Sequence, residues 1–167
     1  RESQIQALGA AVIVAMTTDQ VNRLRSGQVA ALSTTQLQAM EARDMASLTA
    51  EAVNALTAAQ VSVLSPAQLL ALSTQQIRAI STQGIAALSG AQISKLRNDQ
   101  IAVLTAGNDA QLGSTNPQGP DQVGALSSTQ LQSLRTDQVA ALTSQQMRSL
   151  SSTQLNALSL KQMKSVD

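Results

Sequence analysis

Residues 68–83 read QLLALSTQ followed by QIRAISTQ, which is one eight-residue pattern written twice. Each octad begins with Gln, an aliphatic residue follows, and a second aliphatic residue comes three places later. We number the octad positions from one, at the Gln, to eight. Stepping outward by eight residues finds 13 octads that begin between residues 4 and 100, and six more that begin between residues 122 and 162. The chain is therefore a tandem repeat over most of its length.

The core is predicted from positions two and five, which are aliphatic in all 19 octads. Because the chain contains no Phe, Trp or Tyr, this core must be wholly aliphatic. Position three varies freely, with Gln, Ala, Asn, Arg, Leu, Ser and Lys among its residues, so we expect it to face solvent. The predicted core residues are Val29, Leu32, Leu37, Val61, Leu64, Leu69, Leu72, Ile77, Ile80, Ile85, Leu88, Leu126, Leu131, Leu134, Val139 and Leu142.

The period of eight excludes one continuous helix, because a buried stripe would rotate by about 80° per octad at 3.6 residues per turn. The chain must therefore turn within each octad. The turn signal is a Ser or Thr at position six with Gln three residues later, which is the pattern of a helical capping box. Pro at the first helical position supports this register. The predicted cap residues are Ser33, Gln36, Ser65, Pro66, Ser73, Gln76, Ser127 and Gln130.

These patterns predict an all-α solenoid of tandem eight-residue repeats, in which each octad forms a short capped helix that is stabilised by stacking on its neighbours. The alternative is a β-solenoid, although its strands would alternate with a period of two. Position four alternates between Ala and Ser in the last six octads. That alternation favours two helices per coil over three or four.

Three segments are predicted along the chain. Residues 1–105 form a solenoid of 13 octads, residues 106–121 form an irregular Gly- and Pro-rich loop or hinge, and residues 122–167 form a solenoid of six octads. The middle segment breaks the repeat, because Gln100 and Gln122 are 22 residues apart, which is not a multiple of eight.

Composition restricts the chemistry that the chain can perform. It has no His and no Cys, so we expect no enzymatic activity, no catalytic residue, no cofactor and no metal site. Eleven basic and ten acidic residues give a net charge of +1, so no electrostatic signal for nucleic acid is present. The longest apolar stretch, residues 10–16, is far shorter than the roughly 20 residues of a membrane span.

Three stretches carry a family resemblance: QVAALSTTQLQAM at 28–40, QLLALSTQQIRAISTQ at 68–83 and QVAALTSQQMRSLSSTQ at 138–154. They resemble the tandem ALSTxQ(I/V/L)xALTTxQ arrays of large exported surface proteins of proteobacteria, which are described as adhesin-like or as haem-utilisation proteins. The resemblance implies an extracellular or cell-surface location. A haem role finds no support, because the chain has no His, Cys or Tyr to ligate iron.

Two functional classes remain open. The first is a non-enzymatic filament, stalk or spacer module of a secreted or surface protein, which self-assembles because its end repeats carry no distinct polar cap. Its partner would be a second copy of the chain or the continuation of a longer array. The second class is a binding scaffold that presents a Ser-, Thr- and Gln-rich surface to a protein, a glycan or a solid surface.

Overall fold

The computed structural model describes residues 2–103 and 122–166, and these residues form eighteen short helices and no strand. The all-α prediction is confirmed, and the β-solenoid alternative has no support in the described residues. Each helix runs from position seven of one octad into the next octad. The helices are α1 (Glu2–Gln6), α2 (Ala10–Val14), α3 (Thr18–Asn22), α4 (Ser26–Ala30), α5 (Thr34–Ala39), α6 (Ala42–Ser47), α7 (Ala50–Asn54), α8 (Ala58–Ser62), α9 (Pro66–Ala71), α10 (Thr74–Ala79), α11 (Thr82–Ala87), α12 (Gly90–Ile93), α13 (Asn98–Ala102), α14 (Ser128–Ser133), α15 (Thr136–Ala140), α16 (Ser144–Ser149), α17 (Ser152–Ala157) and α18 (Leu160–Met163).

The start of each helix is set by the residue at position six, which has an extended backbone. At α10, Ser73 Oγ accepts a hydrogen bond from the Gln76 main-chain N–H at 3.2 Å, and Gln76 Oε1 accepts one from the Ser73 N–H at 2.8 Å. The helix stops where Ile80 at position five returns to extended angles. The structure places the same reciprocal pair at Ser33 with Gln36, Ser65 with Gln68, and Ser127 with Gln130, and it places Pro66 in the first turn of α9.

In unit 1, each helix from α1 to α8 packs against the third helix that follows it. In the first half of the chain the pairs run from α1 with α4 to α8 with α11. Three octads, or 24 residues, therefore complete one coil, and the preference for two helices per coil is wrong. The Ala and Ser alternation at position four is a local feature of six octads, whereas the coil closes through contacts between residues 24 positions apart.

The core runs through the stacked coils and contains the aliphatic residues of positions two and five. Of the sixteen predicted core residues, all except Leu142 are at most 4% exposed. Leu142 is only partly buried, although α15, the helix of its octad, packs against α18. Met163 and Val166, in the final octad, are exposed.

The chain divides into two compact units, which we call unit 1 (Arg1–Ala87) and unit 2 (Leu88–Asp167). Unit 1 contains α1 to α11, and unit 2 contains α12 to α18. The predicted loop or hinge at 106–121 lies outside the described residues, so its boundaries stay a prediction. The octads on both of its sides belong to unit 2.

Gly84 occupies position one of its octad, where most octads have Gln, because the space beside it is filled. A Cβ atom at residue 84 would lie 2.8 Å from Ile80 Cγ2 and 3.1 Å from Val61 Cγ2. These are methyl groups on β-branched side chains of the core, so they cannot move away without changing a rotamer. The close approach of α11 to α8 therefore excludes the usual Gln at this place.

Candidate functional site: the corner glutamines

The repeated polar chemistry of the chain lies at the corners between consecutive helices, where the position-one Gln is buried. At Gln68, Oε1 accepts a hydrogen bond from the Ser65 N–H in its own corner at 2.8 Å. Its Nε2 donates to the main-chain oxygens of Leu37 and Met40 in the preceding coil, at 2.7 and 2.8 Å. One side chain therefore caps its own helix and also joins two coils.

We call the recurrence of this contact the corner glutamine ladder. Its members include Gln36, Gln60, Gln68 and Gln76 in unit 1 and Gln122, Gln130, Gln154 and Gln162 in unit 2. In unit 1 each Nε2 reaches a position-five oxygen 28 residues upstream, at 2.6 to 2.8 Å. A buried main-chain oxygen without a donor destabilises the folded state by about 1–3 kcal/mol. The ladder is therefore the polar counterpart of the aliphatic core.

The ladder continues in register across the interruption of the repeat. Gln130 donates to Leu96 at 2.8 Å, and Gln122 donates to Leu88, in each case 34 residues upstream instead of 28. Gln162 reaches Leu134 at the usual separation of 28. The difference of six equals the excess of the 22-residue interval over two octads. The interruption therefore adds six residues without changing which corners are joined.

Comparison with known families identifies the repeat that builds these corners. A family model described as the ALTTAQ repeat matches residues 2–34, 37–74, 71–106 and 119–152, which together form most of the chain. The chain belongs to the ALTTAQ repeat family. The octapeptide-array resemblance seen in the sequence is thereby confirmed. No curated protein matches the chain.

Two corners of the ALTTAQ array lack the ladder and use Asn instead. Ala52 and Gly84 occupy position one in place of Gln. By the ladder register, a Gln at residue 52 would donate to the octad that begins at residue 20, and a Gln at residue 84 would donate to the octad that begins at residue 52. In the octads that begin at residues 20 and 52, position three is Asn. Asn22 Nδ2 donates to the Ser47 oxygen, and Asn54 Nδ2 donates to the Ala79 oxygen, both at 2.7 Å. The coils are therefore still joined, but the donor comes from the earlier coil.

Arg occupies some cap positions of the ALTTAQ array, where it has no acceptor for a helix N–H. Arg135 instead donates to both oxygens of Asp137, at 3.0 and 2.9 Å, and to the Ala102 oxygen of an earlier octad at 3.0 Å. Arg97 and Asp99 form the same pair. The hydrogen bond from the Arg side chain lowers the pKa of each of these Asp carboxyls below its ordinary value. No side-chain cap hydrogen bond forms at the cap positions Gly9, Arg25, Glu41, Arg97 and Arg135.

Arg135→Ala is expected to raise the pKa of Asp137 toward its ordinary value of 3.8, because it removes the largest cause of the lowering, the hydrogen bond from Arg135. In the folded wild type, Arg135 favours the charged form of Asp137. The small contribution of this ion pair to stability is therefore complete when the pH is above the ordinary pKa of Asp, and it is lost as the pH falls through the lowered pKa of Asp137. A carboxyl carbon NMR titration measures the change. Asp99 is the internal control, and an unchanged Asp137 titration would contradict the assignment.

The remaining surface of the ALTTAQ array offers little organised chemistry in residues 2–103 and 122–166. A polar groove of about 440 Å³ lies in unit 1 beside Asn22, Thr49, Glu51 and Gln75. In the described part of the chain, His, Cys, Asp and Glu side chains form no group of three or more that could hold a metal ion. None of the described helices has the length and hydropathy that a bilayer crossing requires.

Proposed function

We propose that this ALTTAQ array is a non-enzymatic structural module that extends by end-to-end stacking of coils, as a filament, stalk or spacer of a secreted or cell-surface protein. The observation that carries the proposal is a set of ladder groups, near the start of unit 1 and the end of unit 2, that have no hydrogen-bond partner among the described residues. Composition supports the non-enzymatic part, since the chain has no imidazole or thiol. The surface location rests on the resemblance to exported arrays.

The first coil of unit 1 and the octad that follows it present hydrogen-bond donors. Gln20 and Gln28 accept from the main-chain N–H groups of Thr17 and Arg25, as ladder members do. Their Nε2 groups donate to no acceptor in the described residues, whereas the ladder members donate to the preceding coil. Val12, at position one of an octad in the first coil, is 48% exposed. These octads therefore have both donors and an apolar side chain available for a preceding coil.

The final octads of unit 2 present the complementary acceptors. The main-chain oxygens of Leu142, Leu150 and Leu158 stand at position five, where ladder Gln side chains donate elsewhere in the chain. These three oxygens accept no hydrogen bond within the described residues. Met163 is 43% exposed beside them in sequence. Donors near the start of unit 1 and acceptors near the end of unit 2 favour head-to-tail contact, which gives a fibre when it does not close.

Head-to-tail stacking is tested with the double variant Gln20→Glu and Gln28→Glu. Glu keeps the oxygen that accepts from the cap N–H but removes the Nε2 donor and adds a charge that would face carbonyl oxygens. We expect the wild type to form filaments in negative-stain electron microscopy and to sediment faster as its concentration rises. The double variant should remain monomeric with unchanged helical circular dichroism.

The matched control is Gln75→Glu with Gln145→Glu, which makes the same charge change at two exposed glutamines. This control should assemble like the wild type. Wild-type monomers at every concentration would overturn the filament proposal. Equal assembly by both double variants would show that Gln20 and Gln28 do not form the contact.

A binding scaffold is the second candidate, and the polar groove beside Glu51 is the observation that favours it. Hydroxyl, amide and carboxylate groups line this groove, which suits a glycan or a polar peptide better than an apolar ligand. Binding of glycans to a monomeric wild type, with loss of binding in Glu51→Ala, would favour the scaffold over the filament.

A further inference from the structure

Asp44 is a buried carboxylate in the place of a ladder Gln. It stands at position one of its octad, its side chain is 0% exposed, and neither of its oxygens accepts a hydrogen bond within the described residues. The Arg43 Nε lies 3.7 Å from Asp44 Oδ1, and the Arg43 side chain is 67% exposed. A buried carboxylate usually needs hydrogen bonds or a close cation, so this corner is incompletely compensated.

The register of the ladder shows which main-chain oxygens belong to this corner. Position-one Gln side chains donate 31 and 28 residues upstream, and for residue 44 those positions are Ile13 and Met16. The Met16 oxygen accepts no hydrogen bond in the described residues. Asp44 offers only acceptors and is one methylene shorter than Gln, so it cannot replace the donor. The register therefore assigns the Asp44 carboxylate to the Met16 and Ile13 oxygens, of which the Ile13 oxygen already accepts from the Met16 N–H at 3.2 Å and the Met16 oxygen has no donor in the described residues.

Glu41 adds a second carboxylate at the same corner. Its Oε2 lies 3.0 Å from Arg43 Nε, the nitrogen that also pairs with Asp44. The two carboxylates therefore flank one guanidinium nitrogen. Exposed ion pairs of this kind contribute little to stability, so the Arg43 side chain can leave the corner without a large loss.

We propose that this corner binds a hard divalent cation of the Ca²⁺ class through the carboxylates of Glu41 and Asp44 and the main-chain oxygens of Met16 and Ile13. Ca²⁺ accepts carboxylate and carbonyl oxygens together, with water completing six to eight ligands in an irregular geometry. Mg²⁺ dehydrates reluctantly and requires a near-ideal octahedron, so it fits a buried carboxylate less well. Arg43 competes with the cation for the two carboxylates.

Thermal unfolding of the full chain, followed by circular dichroism after treatment with a chelator, tests the site. CaCl2 should raise the midpoint by about 2–4 °C once its concentration is several-fold above the Kd. MgCl2 at equal ionic strength should give a smaller rise. Arg43→Ala should lower the Ca²⁺ concentration that gives the half-maximal shift, because the competing charge is gone. Calorimetric titration of the folded chain with CaCl2 provides a second readout.

Asp44→Asn should abolish both the Ca²⁺-dependent midpoint shift and the calorimetric signal. Glu51→Gln is the control, because it removes another first-turn carboxylate and should keep the Ca²⁺ response. A wild-type midpoint that does not change up to about 10 mM Ca²⁺, above the range of weak extracellular sites, would overturn the proposal. An unchanged response in Asp44→Asn would overturn it as well, even if that variant is less stable at the outset.

Discussion

Gln76→Ala is expected to lower the free energy of unfolding by about 3 kcal/mol, because it leaves buried main-chain oxygens without donors. Gln76 Nε2 donates to Leu48 at 2.7 Å and to Ala46 at 3.1 Å in the preceding coil. The substitution also removes the acceptor for the Ser73 N–H. Urea unfolding followed by far-UV circular dichroism measures the change, since a chain without Trp or Tyr gives no useful fluorescence.

The adjacent Gln75 provides the control for this prediction. It is exposed and makes no hydrogen bond in the described part of the chain, so Gln75→Ala should change the free energy of unfolding by no more than about 0.5 kcal/mol. The two variants differ only in which of two neighbouring glutamines is shortened. Equal effects would contradict the ladder assignment, because Ala has a higher intrinsic helix propensity than Gln and propensity alone would not lower the stability.

Leu72→Ala is expected to lower the free energy of unfolding by about 3 kcal/mol through a different cause, the loss of core packing. Leu72 occupies position five of its octad and is 0% exposed. The surrounding aliphatic side chains have no aromatic neighbour that could fill the cavity, and rigid stacked helices limit how far the site can collapse. The same urea experiment measures the effect.

Leu70, at position three of the same octad, is the matched comparison because it is 37% exposed. Leu70→Ala should lower the free energy of unfolding by less than about 1 kcal/mol. If Leu70→Ala and Leu72→Ala had equal effects, the assignment of octad positions to core and surface would be wrong.

The local structure of this chain could be predicted from its sequence because it depends on neighbouring residues. Ser73 and Gln76 form a cap within four residues, and the aliphatic residues of positions two and five are read directly from the repeat. The number of helices per coil depends on residues 24 positions apart, which an eight-residue period does not specify. The alternation from Ala125 to Ser165 suggested a two-helix unit, but it does not determine the stacking.

The sequence carries a signal for the corner glutamine ladder. A capping box accepts either Glu or Gln at its last position, yet the octads have Gln at 15 of 19 first positions and never Glu. Only Gln supplies an N–H donor in addition to the capping oxygen. That exclusive choice indicates a second bond for the amide, although the sequence does not say which oxygen receives it. Asp44 stands out only once this second bond is known.

The 34-residue reach of Gln130 has a consequence for how such arrays change in length. Each ladder Gln donates to the position-five oxygen of a particular corner in the preceding coil. In unit 2 this pairing is kept although the interval between Gln100 and Gln122 is six residues longer than two octads. Mutations that lengthen one interval therefore need no compensating change elsewhere. We therefore expect an epitope or an enzyme recognition peptide inserted between Gln100 and Gln122 to leave the joined corners of Gln122 and Gln130 unchanged.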